Sequence, residues 1–390
     1  MEFKIRFSGT GHRYTDEEVA LVAEVMQQAE PLTQGKYRGA FEARFAEHVG
    51  VEHAFAVCNA TAALEMAAQL CQFRAGDEVV APTHTFTASV YPFLKKGARP
   101  VWADIDPATR VVTAETLAAA VTPATKALIV PHLYGYMVDM ESVMELARKR
   151  GLIVIEDVAQ ALGTEINGKK AGSFGDFSIF SFHSHKNITT LGEGGMLVVK
   201  DPQTAEVVPM LRHNGHCAFD FEREDYWIPA MGNVDFPELN GERLWPNNFC
   251  LGEVECALGE KLLDRSDEIN AAKRRRALDF IDALAAHPEL EFHRVPSTRH
   301  NYHLLAARMT NGLRDEFMRK MAYEHGVQCV VQYQLLHRYD FYRKFGAGKA
   351  DCPNSELFFD NMVSFPFHHW LSDDDLQYML DKTRETLTAI

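Results

Sequence analysis

The chain has 390 residues, too many for one ordinary hydrophobic core, so a large and a small domain are expected. A net charge of −14 leaves no basic face for nucleic acid, although backbone N–H groups at a helix start can still hold a phosphate-bearing ligand. Seven cysteines, odd in number and without a CxxC pair, read as free thiols; with no signal-peptide core near Met1 and no run of about 20 apolar residues, a cytoplasmic protein without a membrane span is expected.

Apolar runs and amphipathic stretches alternate along the chain. Ala54–Val57 leads into Asn59-Ala60-Thr61-Ala62-Ala63-Leu64, which opens a helix rich in Ala, Leu and Met. Strands are predicted at Asp77–Pro82, Pro100–Asp106, Ala127–Pro131, Leu152–Asp157, Phe177–Phe182 and Met196–Lys200, with a helix at Met140–Arg150. Continuous apolar strands between helices predict an α/β fold whose mainly parallel sheet is covered on both faces. Residues 217–248 are aromatic, acidic and rich in Pro and Gly, contain Trp227 and Trp245, and read as a long functional loop. Leu251–Leu284 reads as helix. The chain is divided into a large domain, residues 1–265, and a small C-terminal α/β domain, residues 266–390.

In such sheets ligands sit beyond the carboxyl ends of the strands. Small residues at Ala60, Thr61 and Ala62 let the N–H groups of a helix start approach a phosphate, a weak signal alone. No GxGxxG or Walker lysine pattern is present. Thr83-His84-Thr85-Phe86 puts an aromatic ring at a strand end, where a core Phe is the commoner outcome. Glu156-Asp157-Val158-Ala159-Gln160 ends an apolar strand, and a carboxylate at that depth is costly unless it meets a cation or caps a helix. Alternation sends Glu156 and Asp157 to opposite faces, and Asp157 is the candidate partner of a protonated pyridine. Ser181-Phe182-His183-Ser184-His185-Lys186-Asn187 then runs from a strand into a lysine ahead of Gly192-Glu193-Gly194-Gly195. A lone lysine is usually a solvated surface residue; a carbonyl cofactor needs an amine whose pKa burial lowers, and lysine supplies it. His183, His185, His213 and His216 alternate around this block as a cofactor or substrate shell, and no metal is expected.

These segments, in this order, resemble the DegT-type (DegT/DnrJ/EryC) sugar aminotransferases, a branch of the fold-type I pyridoxal-phosphate (PLP) enzymes. Further blocks that carry the resemblance are Gly35-Lys36-Tyr37, His132-Leu133-Tyr134-Gly135, Asn248 with Cys256-Ala257-Leu258-Gly259, and Ser364-Phe365-Pro366-Phe367-His368. The resemblance implies that Lys186 forms the Schiff base with PLP and shuttles the proton, that Asp157 pairs with the pyridinium, that Gln160 lies near the ring hydroxyl and that Phe86 stacks on the ring. It implies a phosphate site at Ala60, Thr61, Ala62 and Ser181. It also implies a homodimer with shared active sites, in which Asn248 reaches the neighbouring subunit's phosphate. His183, His303, Tyr333, His337 and His368 are candidate substrate residues.

The reaction so implied is a ping-pong transfer of an amino group from L-glutamate to a keto sugar carried on a nucleotide. The alternatives are a PLP-dependent sugar dehydratase, in which the resemblance puts a His at the lysine position, an aminotransferase acting on a cyclitol or short polyol, and a non-catalytic PLP- or sugar-binding regulator. Four residues depart from the family pattern. Ala60 stands at a frequent Gly, Cys250 at a frequent Arg, Tyr136 at a frequent Gln and Gln332 at a frequent His, and the last three leave the usual substrate open.

Overall fold

The structure, a computed structural model, describes residues 2–219 and 232–390. Trp227, expected to mark the long loop, lies outside the described residues.

Seven strands form the main sheet: β1 (Ala54–Val57), β2 (Glu78–Pro82), β3 (Arg99–Ala103), β4 (Thr125–Pro131), β5 (Ile153–Asp157), β8 (Phe177–Ser181) and β9 (Gly195–Val199), β6 (Glu165–Ile166) and β7 (Lys169–Lys170) being a small hairpin between β5 and β8. Their order is β1-β9-β8-β5-β4-β2-β3. β9 runs antiparallel to both neighbours and the other pairings are parallel, so the sheet is mainly parallel but mixed. The alternation along each strand is apolar on both sides. Val79, Ala127, Ile129, Ile155 and Ile179 face one core, while Val80, Leu128, Val130, Val154 and Phe180 face the other. At about 1.5–3 kcal/mol for each large side chain fully buried, both faces of the sheet contribute to stability.

Helices cover both faces. α1 (Asp16–Gln28) starts with a capping box between Thr15 and Glu18, and α2 (Lys36–Val49) starts at Gly35, which has no side chain to cap it. The buried carboxylate of Glu253 supplies that cap by accepting the N–H groups of Gly35 at 2.9 Å and Tyr37 at 2.8 Å. Glu253 is itself the first residue of the long helix Glu253–Ala283. That helix runs through residues 265 and 266, where the sequence reading divides the chain, and packs on α1 and α2. A three-stranded antiparallel sheet follows, β14 (Leu290–Phe292), β15 (Leu305–Met309) and β16 (Met362–Phe365), with its own apolar core around Phe280, Phe317 and Phe365.

The region predicted as a long loop carries short pairings where it is described. β10 (His216–Cys217) pairs with β11 (Asn233–Val234), and β12 (Glu238–Leu239) pairs with β13 (Glu242–Arg243). Trp245 is exposed and meets Phe236 edge-on.

Candidate active site

A cavity of about 500 Å³ opens at the carboxyl ends of β2, β4, β5 and β8. At the end of β5 the two adjacent carboxylates separate as the strand pleat requires. Glu156 turns to the closed face, where it accepts the N–H groups of Phe174 and Gly172 at 2.8 and 2.9 Å and meets His132 at 3.1 Å. These bonds and the histidine hold its pKa below the usual carboxylate value against a burial that would raise it. Asp157 turns to the cavity. Its Oδ2 accepts the Ser89 hydroxyl at 2.6 Å, its Oδ1 accepts the Ala159 N–H at 3.0 Å, and Ser89 in turn lies 3.2 Å from the Thr85 hydroxyl.

β8 delivers the lysine. After Ser181 the chain turns tightly, with the Lys186 N–H donating to the His183 carbonyl at 2.8 Å. The Lys186 side chain lines the cavity, and its amine has no hydrogen-bond or ion-pair partner among the described residues. Burial lowers its pKa to about 8, with the nearby Asp157 charge opposing the shift. A pKa this far below that of an ordinary lysine raises the share of unprotonated amine, the form that attacks a carbonyl compound.

The helix start is α3 (Ala60–Leu70), capped by Asn59, whose Oδ1 accepts the Ala62 N–H at 2.9 Å. That bond commits Ala62, which does not line the cavity. The N–H groups of Ala60 and Thr61 have no acceptor among the described residues, and both residues line the cavity with Ser181. Gly195 makes the approach fit, since a Cβ there would fall 2.6 Å from the Ala60 nitrogen.

Gln160 is oriented from two sides. Its Oε1 accepts the Tyr134 N–H at 2.6 Å, and its amide nitrogen donates to the Tyr333 hydroxyl at 3.1 Å. Burial raises the Tyr333 phenol to about 12, so it stays protonated. Phe86 lines the cavity with its ring half-exposed and edge-on to Tyr333. His183, His303 and His368 line the cavity as well; burial takes His368 down to about 4, and its ring stacks on Trp370 at 3.6 Å.

Two further residues of the expected site lie elsewhere. His337 spans 2.6 Å to the Thr83 hydroxyl and 3.4 Å to Glu356, which ties the C-terminal half to the end of β2. Asn248 is exposed and bridges His213 in an antiparallel contact. Sequence reasoning missed Ser89, which orients Asp157, and the segment Phe7 to Gly11, which forms part of the cavity wall. The Gly11 N–H donates to the Ser184 carbonyl at 2.7 Å, and a Cβ on Gly11 would collide with the carbonyls of His185 and Lys186 at 2.6 Å. Nothing local in Phe7–Gly11 signals this role, which depends on a contact with residue 184.

A mixed sheet of this topology, with a free, pKa-lowered lysine amine, a buried carboxylate and an open helix start around one cavity, defines a fold-type I pyridoxal-phosphate enzyme. The residues fit that cofactor in charge and in kind: an amine for its aldehyde, an acid for its ring nitrogen, and N–H and O–H donors for its phosphate. The chain belongs to the DegT/DnrJ/EryC1/StrS aminotransferase family, whose model matches residues 12–384, and this is a family of PLP-dependent sugar aminotransferases.

Among curated relatives, the chain is 31% identical over 383 residues to the spore coat polysaccharide biosynthesis protein SpsC of Bacillus subtilis, covering 95% of this chain and 94% of that one. It is 38% identical over 270 residues to the GDP-perosamine synthase of Caulobacter vibrioides, covering 69% and 68%. Among solved structures it is similar to Helicobacter pylori PseC, an aminotransferase involved in the biosynthesis of pseudoaminic acid, with a TM-score of 0.88 and 26% identity over the whole of both chains. No described helix is long and apolar enough to cross a membrane, and no described group of His, Cys, Asp and Glu has the arrangement of a metal site.

Proposed function

We propose that this protein moves an amino group from L-glutamate to the keto group of a nucleotide-linked sugar in two half-reactions that share one cavity. The observation that carries the reading is the free Lys186 amine placed within reach of the Asp157 charge. When bound, the cofactor supplies the electron sink and carries the amino group between the two substrates. The chain's own residues do the rest. Lys186 would hold the cofactor through its amine and would serve as the base and acid that moves the proton. Asp157, fixed by Ser89 and the Ala159 N–H, keeps the ring nitrogen protonated. Gln160 still has one amide hydrogen that would serve the ring hydroxyl, Phe86 would lie against the ring, and Ala60, Thr61 and Ser181 would hold the phosphate. That Lys186 is a lysine and not a histidine supports transfer over dehydration. The relation to a GDP-perosamine synthase supports the nucleotide-linked acceptor.

We extend the reading to the assembly. Asn248 is exposed and does not line its own chain's cavity, which suits a contact with a second copy's phosphate site in a cytoplasmic homodimer. The working division of the chain stays at about residue 265, within the long helix.

The test is a spectrum of the purified protein with bound cofactor, before and after L-glutamate, beside a Lys186→Ala sample. The expected result is a shift of the bound cofactor's absorbance with release of 2-oxoglutarate in the native protein only. No cofactor absorbance after added PLP would remove the assignment.

A further inference from the structure

The long helix places Asn270 and Lys273, both buried, against the residue that follows the active lysine. The donors and acceptors of this cluster are fixed from its two ends. Asn270 donates through Nδ2 to the Leu162 carbonyl at 2.9 Å, and a carbonyl can only accept. The Asn270 Oδ1 is therefore the atom that receives the Asn187 Nδ2 at 2.7 Å. At the other end the Lys273 Nζ donates to the Asn187 Oδ1 at 2.9 Å and to the His303 carbonyl at 3.0 Å. An amine gives these two bonds whether or not it carries its third proton. Both amides are thus locked in orientation, and the Asn187 oxygen faces the one contact that remains, the His303 Nδ1 at 3.4 Å.

An oxygen that only accepts requires the hydrogen on the histidine side, so His303 carries its proton on Nδ1. Burial, with the charges of Lys186 and Lys273 adding to it, holds the ring well below its usual pKa and therefore neutral. Nε2 is left bare. It has no partner among the described residues, and His303 lines the cavity. The histidine stands just before β15, and Phe367 and His368 stand just after β16, where Leu305 pairs with Phe365. This wall comes from the small sheet, whereas Asp157 and Ser181 come from the large one.

Resting on the aminotransferase reading, we infer that His303 is a specificity-determining residue whose Nε2 is a fixed hydrogen-bond acceptor for a hydroxyl of the keto-sugar substrate. Asn187, Asn270 and Lys273 are positioning residues that hold its tautomer. An acceptor of this kind selects by exclusion, because a bound sugar lacking the hydroxyl would cover Nε2 and leave it unpaired. That costs roughly tenfold to a hundredfold in kcat/KM.

Two measurements test this on the cofactor-loaded enzyme. Neutron diffraction from crystals exchanged into D2O is expected to show deuterium on the His303 Nδ1 and none on Nε2; deuterium on Nε2 overturns the inference. The second uses UDP- and GDP-linked 4-keto-6-deoxyhexoses as acceptors, with L-glutamate as donor. His303→Leu is expected to lower kcat/KM for the accepted sugar by roughly tenfold to a hundredfold. The loss of rate with L-glutamate alone is expected to be smaller than the loss with the keto sugar. His303→Gln, which can bring an amide oxygen to the place of Nε2, recovers most of the loss. Equal loss in the Leu and Gln variants, or a loss of the same size with L-glutamate alone, assigns His303 to structure and overturns its role in selection. If no keto sugar reacts while L-glutamate still converts the cofactor, the nucleotide-sugar reading fails on its own, and the deuterium positions still decide the polarity of His303.

Discussion

Lys186 and Lys273 are both amines that burial pulls far down, to about 8 and about 7, yet the two regions that hold them use them in opposite ways. Lys186 sits on the turn after β8 with no partner for its amine among the described residues. Lys273 sits in the middle of the long helix, with its amine held by the Asn187 side chain and the His303 carbonyl. A lowered pKa marks burial in both places. What separates a reactive amine from a structural one is whether its lone pair and protons are already committed, and that is decided by the loop or helix that carries it.

The comparison breaks most visibly at Lys186. Lys186→Ala is expected to lower the overall transfer rate by about a thousandfold or more, measured as 2-oxoglutarate release under saturating L-glutamate. A variant that kept the native rate would mean that another base, Lys273 included, does the work. Asp157→Asn keeps the shape and the Ser89 contact but removes the charge, and a loss of about a hundredfold to a thousandfold in kcat is expected from single-turnover kinetics.

Lys273→Met sharpens the other side. It leaves the His303 carbonyl without its donor and the Asn187 oxygen with only the His303 Nδ1 contact, at a cost of about 1–3 kcal/mol for the carbonyl left unpaired, offset in part by the relief of burying an amine. The sign of its pH dependence follows from the shift. Between pH 7 and 10.5 the unfolded chain binds a proton at this lysine that the folded chain does not, so the native protein gains stability as pH rises through that window. Urea unfolding at pH 7 and pH 9.5 is expected to show a smaller gain for Lys273→Met than for the native chain. Equal gains would mean that the amine is not held down in the folded state.

The smallest effect is kinetic. Covalent capture of PLP by the cofactor-free protein is expected to accelerate with a midpoint near pH 8, against 10.5 for an ordinary lysine, as read by borohydride trapping at each pH. A midpoint near 10 would remove burial as the activating factor.

The large-sheet wall of the cavity was readable from the sequence because its residues come in local blocks. A strand followed at once by Asp157 and Gln160, or by Ser181 and Lys186, carries its geometry with it, and the pleat alone assigns Glu156 and Asp157 to opposite faces. The mainly parallel sheet and the long helix are legible for the same reason, as apolar runs and helical spacing. What stayed hidden depends on distance along the chain. Ser89 is 68 residues from the carboxylate it orients, and Asn187 and Lys273 are 86 apart, so no window of sequence joins them. Ala62 was placed among the phosphate donors because the sequence cannot show that Asn59 turns back and takes its N–H. His337 is among the candidate substrate residues, and the structure places its side chain against Thr83 and Glu356.

The strand-like pairing of Ile5 with residues 326 and 328, and the bond from the Phe7 N–H to the Gln328 side chain, hold the segment that finishes the cavity wall. On the ribosome these residues emerge more than 300 positions before the partners that place them. The segment therefore waits for these partners while more than 300 further residues are made, and closing so long a loop is among the slowest contacts a chain makes. Cofactor capture by a cavity that needs this segment would report on the end of folding, and it offers a clock for the last step of assembly that a stain for secondary structure would miss.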